Sequence, residues 1–420
     1  MNFIDLFAGA GGLSEGFIRA GFYPIAHIEM NKHASMTLRT RNCYHYLKQN
    51  NRLDEYYQYL KGEITREELY EKVPADLLNN VINEEISDKT INSIFATIDK
   101  QLASFNIDRV DVIIGGPPCQ AYSLVGRAKD KNGMIDDPRN YLYKQYIKFL
   151  KKYEPIYFVF ENVPGLKSAR GGETYKNIQA FMKRVGYEVE AHELNAADFG
   201  VLQVRKRVII IGWRKGSGLA YPVFEKINYN AKVSSLFDDL ARLNPGEEKN
   251  EYIQEPNEYL IKSGIRNTDD VLTLHIARKH NDRDREIYRL AIDKWNKEHK
   301  RIKYTDLPEE LCTHNNRKSF LDRFKVVAAD LEHSHTMLAH ISKDGHYFIH
   351  PDIEQKRSIS VREAARIQSF PDNYFFEGPR TAKFVQIGNA VPPLMAQGIA
   401  EGIRENLLIY ERLIQCRRII

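Results

Sequence analysis

The run Val110-Asp111-Val112-Ile113-Ile114 ends abruptly in Gly115-Gly116-Pro117-Pro118. This stretch constrains the fold more than any other. A segment so rich in valine and isoleucine reads as a strand buried on both faces, as in parallel sheets. Two glycines and two prolines then stop it, because proline has no N–H to give a ladder and glycine opens the turn. Parallel strands need crossover connections, usually helical, so the chain is read as α/β. Cys119 follows at the strand's carboxyl end, where open α/β sheets hold their ligands. A thiol in a stiff loop there is a candidate nucleophile; a small cysteine that only packs is the plainer reading.

The N-terminal stretch carries a second signal. Asn2 to Phe7 is a short apolar strand running into Ala8-Gly9-Ala10-Gly11-Gly12, and a helix follows. Strand, glycine turn and helix together bring backbone N–H groups close to a nucleotide. Ser14 stands where a dinucleotide fingerprint has its third glycine, so a nicotinamide oxidoreductase is the weaker reading. The next strand, Tyr23 to Ile28, ends at Glu29, about 20 residues beyond the turn, where an acid meets ribose hydroxyls. Glu85, near the end of the third strand, is a candidate for the adenine side; a solvated helix cap is the alternative.

Further on, Ile156 to Phe160 forms a strand ending in Glu161-Asn162-Val163-Pro164-Gly165. Glu161 thus falls on the same sheet edge as Cys119 and is a candidate general acid or base. Gln203-Val204-Arg205-Lys206-Arg207 opens the strand Val208 to Trp213. Alternation puts Arg205 and Arg207 on one face, where paired guanidinium groups can hold a base oxygen and a phosphate. The polar, glycine-bearing segment 120–136 suits a loop over an active site, and a helix is expected from Asp137 to Tyr153.

Composition adds limits. The 420 residues are 43% hydrophobic and 28% charged, which fits a globular chain of more than one domain. No apolar run approaches the roughly 20 residues that span a bilayer, and the first residues lack the basic start of a signal peptide. Four scattered cysteines suggest neither a disulfide framework nor a zinc site, and a cytoplasmic setting is expected. A net charge of +5 accommodates a polyanionic partner. Between 42 and 108, tyrosines and charges at helical spacing predict two or three amphipathic helices packed on the catalytic domain, with the tyrosines packing rather than stacking on bases. Beyond Lys215 the strand–helix rhythm fades, which marks a second domain over 216–360. Lys343-Asp344-Gly345 between alternating runs predicts a β-hairpin. His335, His340, His346 and His350 have no cysteine or acid at ligand spacing and read as hydrogen-bonding or DNA-facing groups, with no metal. A last helix is expected to begin within 383–393.

Six segments in order resemble the DNA (cytosine-5) methyltransferases of bacterial restriction–modification type: DLFAGAGGLSEGF (5–17), GGPPCQAYS (115–123), ENVPG (161–165), QVRKRVIIIG (203–212), REAARIQSFPD (362–372) and QIGNAVPP (386–393). The resemblance implies an S-adenosylmethionine-dependent, Rossmann-like fold with a mostly parallel sheet and a smaller inserted target-recognition domain. It divides the chain into a catalytic domain over 1–215, a recognition domain over 216–382 and a returning helix over 383–420.

It also implies roles. Cys119 would be the nucleophile, Glu161 the acid at cytosine N3, and Arg207 the group holding cytosine O2, with Arg205 supporting the loop and phosphates. S-adenosylmethionine would touch Phe7, Ala8, Gly9, Gly11, Glu29, Met30, Pro118, Leu142, Asn389 and Val391. Met30 stands where the family often has an aromatic, and Glu85-Ile86 replaces its Gly-Asp-Ile. The expected partner is double-stranded DNA, read by residues within 216–360 with the target cytosine flipped out. A monomer in the bacterial cytoplasm near the nucleoid, protecting host DNA against a separate cognate restriction endonuclease, completes the expectation. A transfer-RNA cytosine methyltransferase and a non-catalytic nucleic-acid-binding relative are the alternatives.

Overall fold

The strands are β1 (Asn2–Leu6), β2 (Tyr23–Ile28), β3 (Val81–Ile82), β4 (Val112–Gly115), β5 (Tyr157–Asn162), β6 (Tyr187–Asn195) and β7 (Lys206–Arg214). In a computed structural model that describes residues 1–118 and 141–419, they form one sheet of order β3-β2-β1-β4-β5-β7-β6. β1, β2, β3, β4 and β5 pair in parallel, and β7 runs antiparallel between β5 and β6. The register sets Gly115 against Phe160, so the residues after β4 face Glu161 on β5. All the carboxyl ends that matter therefore open on one edge.

Helices cover both faces, as buried parallel strands require. On one face Ile94 and Ile98 of α6 (Ile91–Ser104), Phe149 and Leu150 of α7 (Leu142–Tyr153) and Met182 of α8 (Glu173–Arg184) pack on Ile4, Ile113 and Phe158. On the other, Phe17 of α1 (Gly12–Arg19) and Met395, Ile399 and Ile403 of the closing helix, Pro393–Ile419, pack on Phe3, Val112 and Val159. Contact is so close that a Cβ on Gly16 would lie 2.4 Å from the Ala396 side chain.

Between β2 and β3 stand α2 (Lys32–Gln49), α3 (Leu53–Leu60), α4 (Arg66–Glu71) and α5 (Ala75–Asn79). Their small core holds Tyr44, Leu47, Tyr56 and Leu69, so these tyrosines pack, as their spacing predicts.

The region 216–382 does not share one core. Ile287, Tyr288 and Ile292 of α9 (Asp282–Glu298) form a separate cluster with Tyr304, Phe324 and Ile349. By contrast Val233, Tyr259, Phe348 and α10 (Val361–Ile367) join Ala10 and Leu202 of the sheet half.

Two expectations are corrected. No hairpin forms around Asp344-Gly345: Ile349 pairs with Val326 and Ser358, while Asp344 takes the Arg323 guanidinium and the His346 N–H. The final helix is two: α11 (Arg380–Asn389) stops where Ala390 turns extended, and α12 (Pro393–Ile419) restarts at a proline. Helix α7 is described from Leu142; its expected start at Asp137 lies outside the described residues. Among the described residues no helix is long and apolar enough to cross a membrane.

Candidate active site at the carboxyl edge of the sheet

β4 stops at Gly115 and β5 continues to Asn162, so Glu161 leans over Gly116-Pro117-Pro118. A Cβ on Gly116 would lie 2.5 Å from Glu161 Oε2; only glycine leaves that seat open. Asn162, buried, donates Nδ2 to the Pro117 carbonyl at 3.2 Å and ties the two strand ends together. Sequence reading passed over Gly116 and Asn162. Their signal was present in the paired Gly-Pro and Glu-Asn endings of adjacent strands.

Arg207 enters from the antiparallel neighbour β7. Its Nε lies 2.8 Å from Glu161 Oε1 as an ion pair, with the two side chains 11% and 14% exposed. Among the described residues no donor is aimed at Glu161 Oε2. Among the described residues the pair is thus held at one oxygen, with no donor at the other. Cys119, the segment 120–136 and Asp137 to Asn140 lie outside the described residues. Pro118, exposed, is the last described residue before Cys119 and stands on the same edge as Glu161.

Arg205 goes elsewhere. It is fully buried and donates to the carbonyls of Met337 at 2.6 Å, Gly388 at 3.0 Å and Ala390 at 2.8 Å. The expectation that it meets a phosphate is corrected, since such burial leaves no solvent face. It locks the 388–390 loop to the sheet instead.

That loop walls the other half of the edge. Gly12 approaches it so closely that a Cβ would lie 2.2 Å from the Val391 carbonyl. Across from it, Phe7, Gly9 and Gly11 adopt left-handed φ of 57°, 56° and 79°, and a Cβ on Gly9 would meet open space. Ala8 donates its N–H to the Ile28 carbonyl, which holds the turn against β2. Glu29 closes this hollow: Oε2 accepts from Gly9 N at 2.8 Å and Oε1 from Asn31 N at 2.7 Å. Burial raises its pKa above the ordinary carboxylate value, against those backbone donors. Met30 projects beyond it, 62% exposed. Leu142, half-buried, starts α7, and Asn389 is exposed at the end of α11. Glu85 is exposed past β3 with its carbonyl taken by Thr90. Just past β3, Asn83 Nδ2 donates to the Glu29 and Met30 carbonyls.

Under the glycine turn lies a buried triad. Ser14 Oγ donates to Asp5 Oδ2 and sits 3.1 Å from His27 Nδ1. Burial pushes Asp5 up to about 8, with the Ser14 hydrogen bond opposing. Burial likewise drives His27 down to about 3. The other histidines take hydrogen bonds, His335 with the Tyr347 carbonyl at 2.6 Å and His346 with Tyr288 at 2.8 Å. His350 Nδ1 accepts from Asp352 N at 3.1 Å.

A mostly parallel seven-stranded sheet with an antiparallel β7, a glycine turn after β1 and a polar edge beside β4 and β5 has the S-adenosylmethionine-dependent methyltransferase fold. Comparison with known proteins narrows this. The family described as C-5 cytosine-specific DNA methylase matches residues 1–65 and 70–405. The Type II methyltransferase M.Bpa9945I of Bacillus paralicheniformis is 43% identical, over 96% of this chain and 99% of its own. The Type II methyltransferase M1.HphI of Haemophilus parahaemolyticus is 32% identical, over 96% of this chain and 86% of its own. The solved structure of the Entamoeba histolytica methyltransferase EhMeth has a TM-score of 0.55 at 14% identity, covering 97% of this chain and 98% of that one. The chain belongs to the C-5 cytosine-specific DNA methylase family and is a DNA (cytosine-5) methyltransferase.

Proposed function

We propose that the chain methylates cytosine within a defined sequence of double-stranded DNA, using S-adenosylmethionine and a transient bond from Cys119 to the base. It would act as a monomer that protects host DNA from a separate restriction endonuclease. The observation that carries this reading is the half-open Glu161–Arg207 pair beside the Pro118 edge.

The hollow bounded by Gly9, Glu29 and Met30 on one side and Asn389 and Val391 on the other fits a nucleoside. A Cβ on Gly9 would enter open space, and the Glu29 carboxylate beside it would meet the ribose hydroxyls. Phe7, Ala8, Gly11, Pro118 and Leu142 would complete it, with Glu85 beyond the adenine. When bound there, S-adenosylmethionine supplies an electrophilic methyl group.

The chain's own groups handle the base. Cytosine C5 is a poor nucleophile until something adds at C6. The Cys119 thiolate gives its electron pair to C6, and Glu161 gives a proton to N3, so the ring becomes an enamine nucleophilic at C5. Arg207 holds Glu161 through Oε1 and turns its remaining N–H groups toward the base O2, while Arg205 steadies the wall behind. As C5 gains its methyl, the N3 proton returns to Glu161. Removal of the C5 proton by water re-forms the C5–C6 double bond, and the sulfur leaves with its pair. The target base must be flipped out first, at a cost of a few kcal/mol. Residues within 216–360 would read the flanking sequence.

With S-adenosylmethionine and DNA containing 5-fluorocytosine, the protein is expected to form a covalent adduct, because the C5 fluorine cannot leave as a proton does. Cys119→Ala should form none. No adduct from the unsubstituted chain on any DNA would reject the mechanism, and bisulfite sequencing of DNA from expressing cells should show one recurrent methylated site.

A further inference from the structure

The helices α2, α3 and α4 add no strand to the sheet, and α2 touches its edge through Arg39, which donates to the Val81 carbonyl at 3.0 Å; polar side chains of all three also converge on one short segment, 373–378. We propose that these helices are a positioning element for the cofactor hollow, with Glu377 as the residue through which they act. The inference rests on the cofactor reading given above.

Glu377 is a buried carboxylate that gathers all three helices. Its Oε1 accepts from Thr40 of α2 at 2.6 Å and from Tyr59 of α3 at 2.7 Å. Its Oε2 lies 3.7 Å from Arg66 of α4. Its backbone is held as well. Glu377 N donates to Thr37 Oγ1 at 2.8 Å, and its carbonyl accepts from Gln386 Nε2 at 2.9 Å. Thr37 in turn donates to Gln386 Oε1 at 2.7 Å. Gln386 lies one helical turn before Asn389, so this web sets the end of α11 and the Asn389–Val391 wall.

The other end of the segment reaches the facing wall. Arg41 of α2 donates to Asn373 Oδ1 at 2.8 Å, and Tyr56 of α3 to the Asn373 carbonyl at 2.9 Å. Next door, Tyr374 donates to the Ala10 carbonyl at 2.5 Å. Leu38 of α2 closes on Gly11, where a Cβ would lie 2.7 Å from it and 2.9 Å from the Tyr374 hydroxyl. One clamp therefore spaces both sides of the hollow, the glycine turn and the 389–391 loop. It makes none of the described contacts to Glu161 or Arg207. Displacing the clamp should change how well the hollow holds its occupant and leave the chemistry at the base unaltered.

The test compares the full chain with Glu377→Ala, Glu377→Gln and Tyr59→Phe. S-adenosylmethionine binding is read by calorimetry, and KM for each substrate and kcat by steady-state methylation of a methylatable DNA. Glu377→Ala is expected to raise both the Kd and the KM for S-adenosylmethionine by about tenfold or more. Its kcat at saturating S-adenosylmethionine and its KM for DNA should stay within about twofold. Glu377→Gln, which keeps an acceptor for Thr40 and Tyr59, should recover most of the loss. Tyr59→Phe should show a smaller shift of the same kind, and carries the comparison if Glu377→Ala does not fold. A fall in kcat with the S-adenosylmethionine KM unmoved would overturn the proposal, since that is what a partly unfolded preparation gives. If the unsubstituted chain binds no S-adenosylmethionine, the cofactor reading fails and takes the clamp with it.

Discussion

Two clusters of arginine and acid do different work. At the sheet edge, Glu161 and Arg207 share one short contact, and among the described residues the second carboxylate oxygen has no donor. In the interior, Asp239 binds both Arg266 and Arg366 at 2.5 Å, and Arg366 also grips Asp372 at 2.5 Å. Tyr252 donates to Asp372 at 2.8 Å, and Arg366 donates to the Leu236 carbonyl at 2.8 Å. Every charge there has several partners and almost no solvent. A buried charge is tolerable only when so satisfied. Paired throughout except at the buried Arg266 Nε, the cluster is architecture that ties 236–270 to α10. The unsaturated pair keeps bonding capacity for something else to use.

The largest effect expected is at the open pair. Glu161→Gln should slow methyl transfer by about 10²- to 10⁴-fold, the usual worth of a positioned acid, with the melting temperature little moved. A comparable loss of stability would place Glu161 with the architectural kind. Asp239→Ala should do the opposite. Denaturant unfolding should show a loss of about 3–5 kcal/mol from the uncompensated guanidinium groups. A change under about 1 kcal/mol would mean that the interior charges are solvated after all. Gly116→Ala sharpens the contrast at smaller cost. Its methyl group presses on a carboxylate that Arg207 will not release, so turnover should drop about tenfold. Combined with Glu161→Gln, it should add little, because both act on one group.

The smallest effect concerns a buried acid satisfied by a proton rather than an arginine. Below its ordinary 3.8, Asp5 is protonated folded and unfolded alike. Above that, only the folded state keeps the proton, so stability drains until pH passes about 8. His27 runs the other way: its contribution is whole above 6.5 and lost as pH falls toward about 3. Between about 6.5 and 8 Asp5 alone of the two is changing. Asp5→Asn should flatten the decline of melting temperature across that window. An unchanged slope would show that Asp5 is not the group that titrates.

Much of this site was legible before any fold was known, for a physical reason. Gly9, Glu29 and Glu161 are each placed by a strand end or turn that a few neighbouring residues dictate. Arg205 was not legible. Alternation aligned it with Arg207, but its destination depends on carbonyls at Met337, Gly388 and Ala390, which sequence separation hides. The Asp344-Gly345 turn misled for a similar cause: tertiary partners, Arg323 and the chain at Val326, outcompeted a local preference. Two or three helices were expected within 42–108 and more are found there, while the grip of α2, α3 and α4 on 373–377 is entirely long-range.

The embrace of Gly16 by Ala396 has a consequence for synthesis. The ribosome makes α1 early and α12 late, with nearly everything else in between. Until α12 emerges, Phe17 and the strands beneath it lack the apolar cover that Met395, Ile399 and Ile403 supply. Uncovered apolar surface of that kind is what makes incomplete chains prone to associate. A chain truncated before that helix leaves this face of the sheet without its cover.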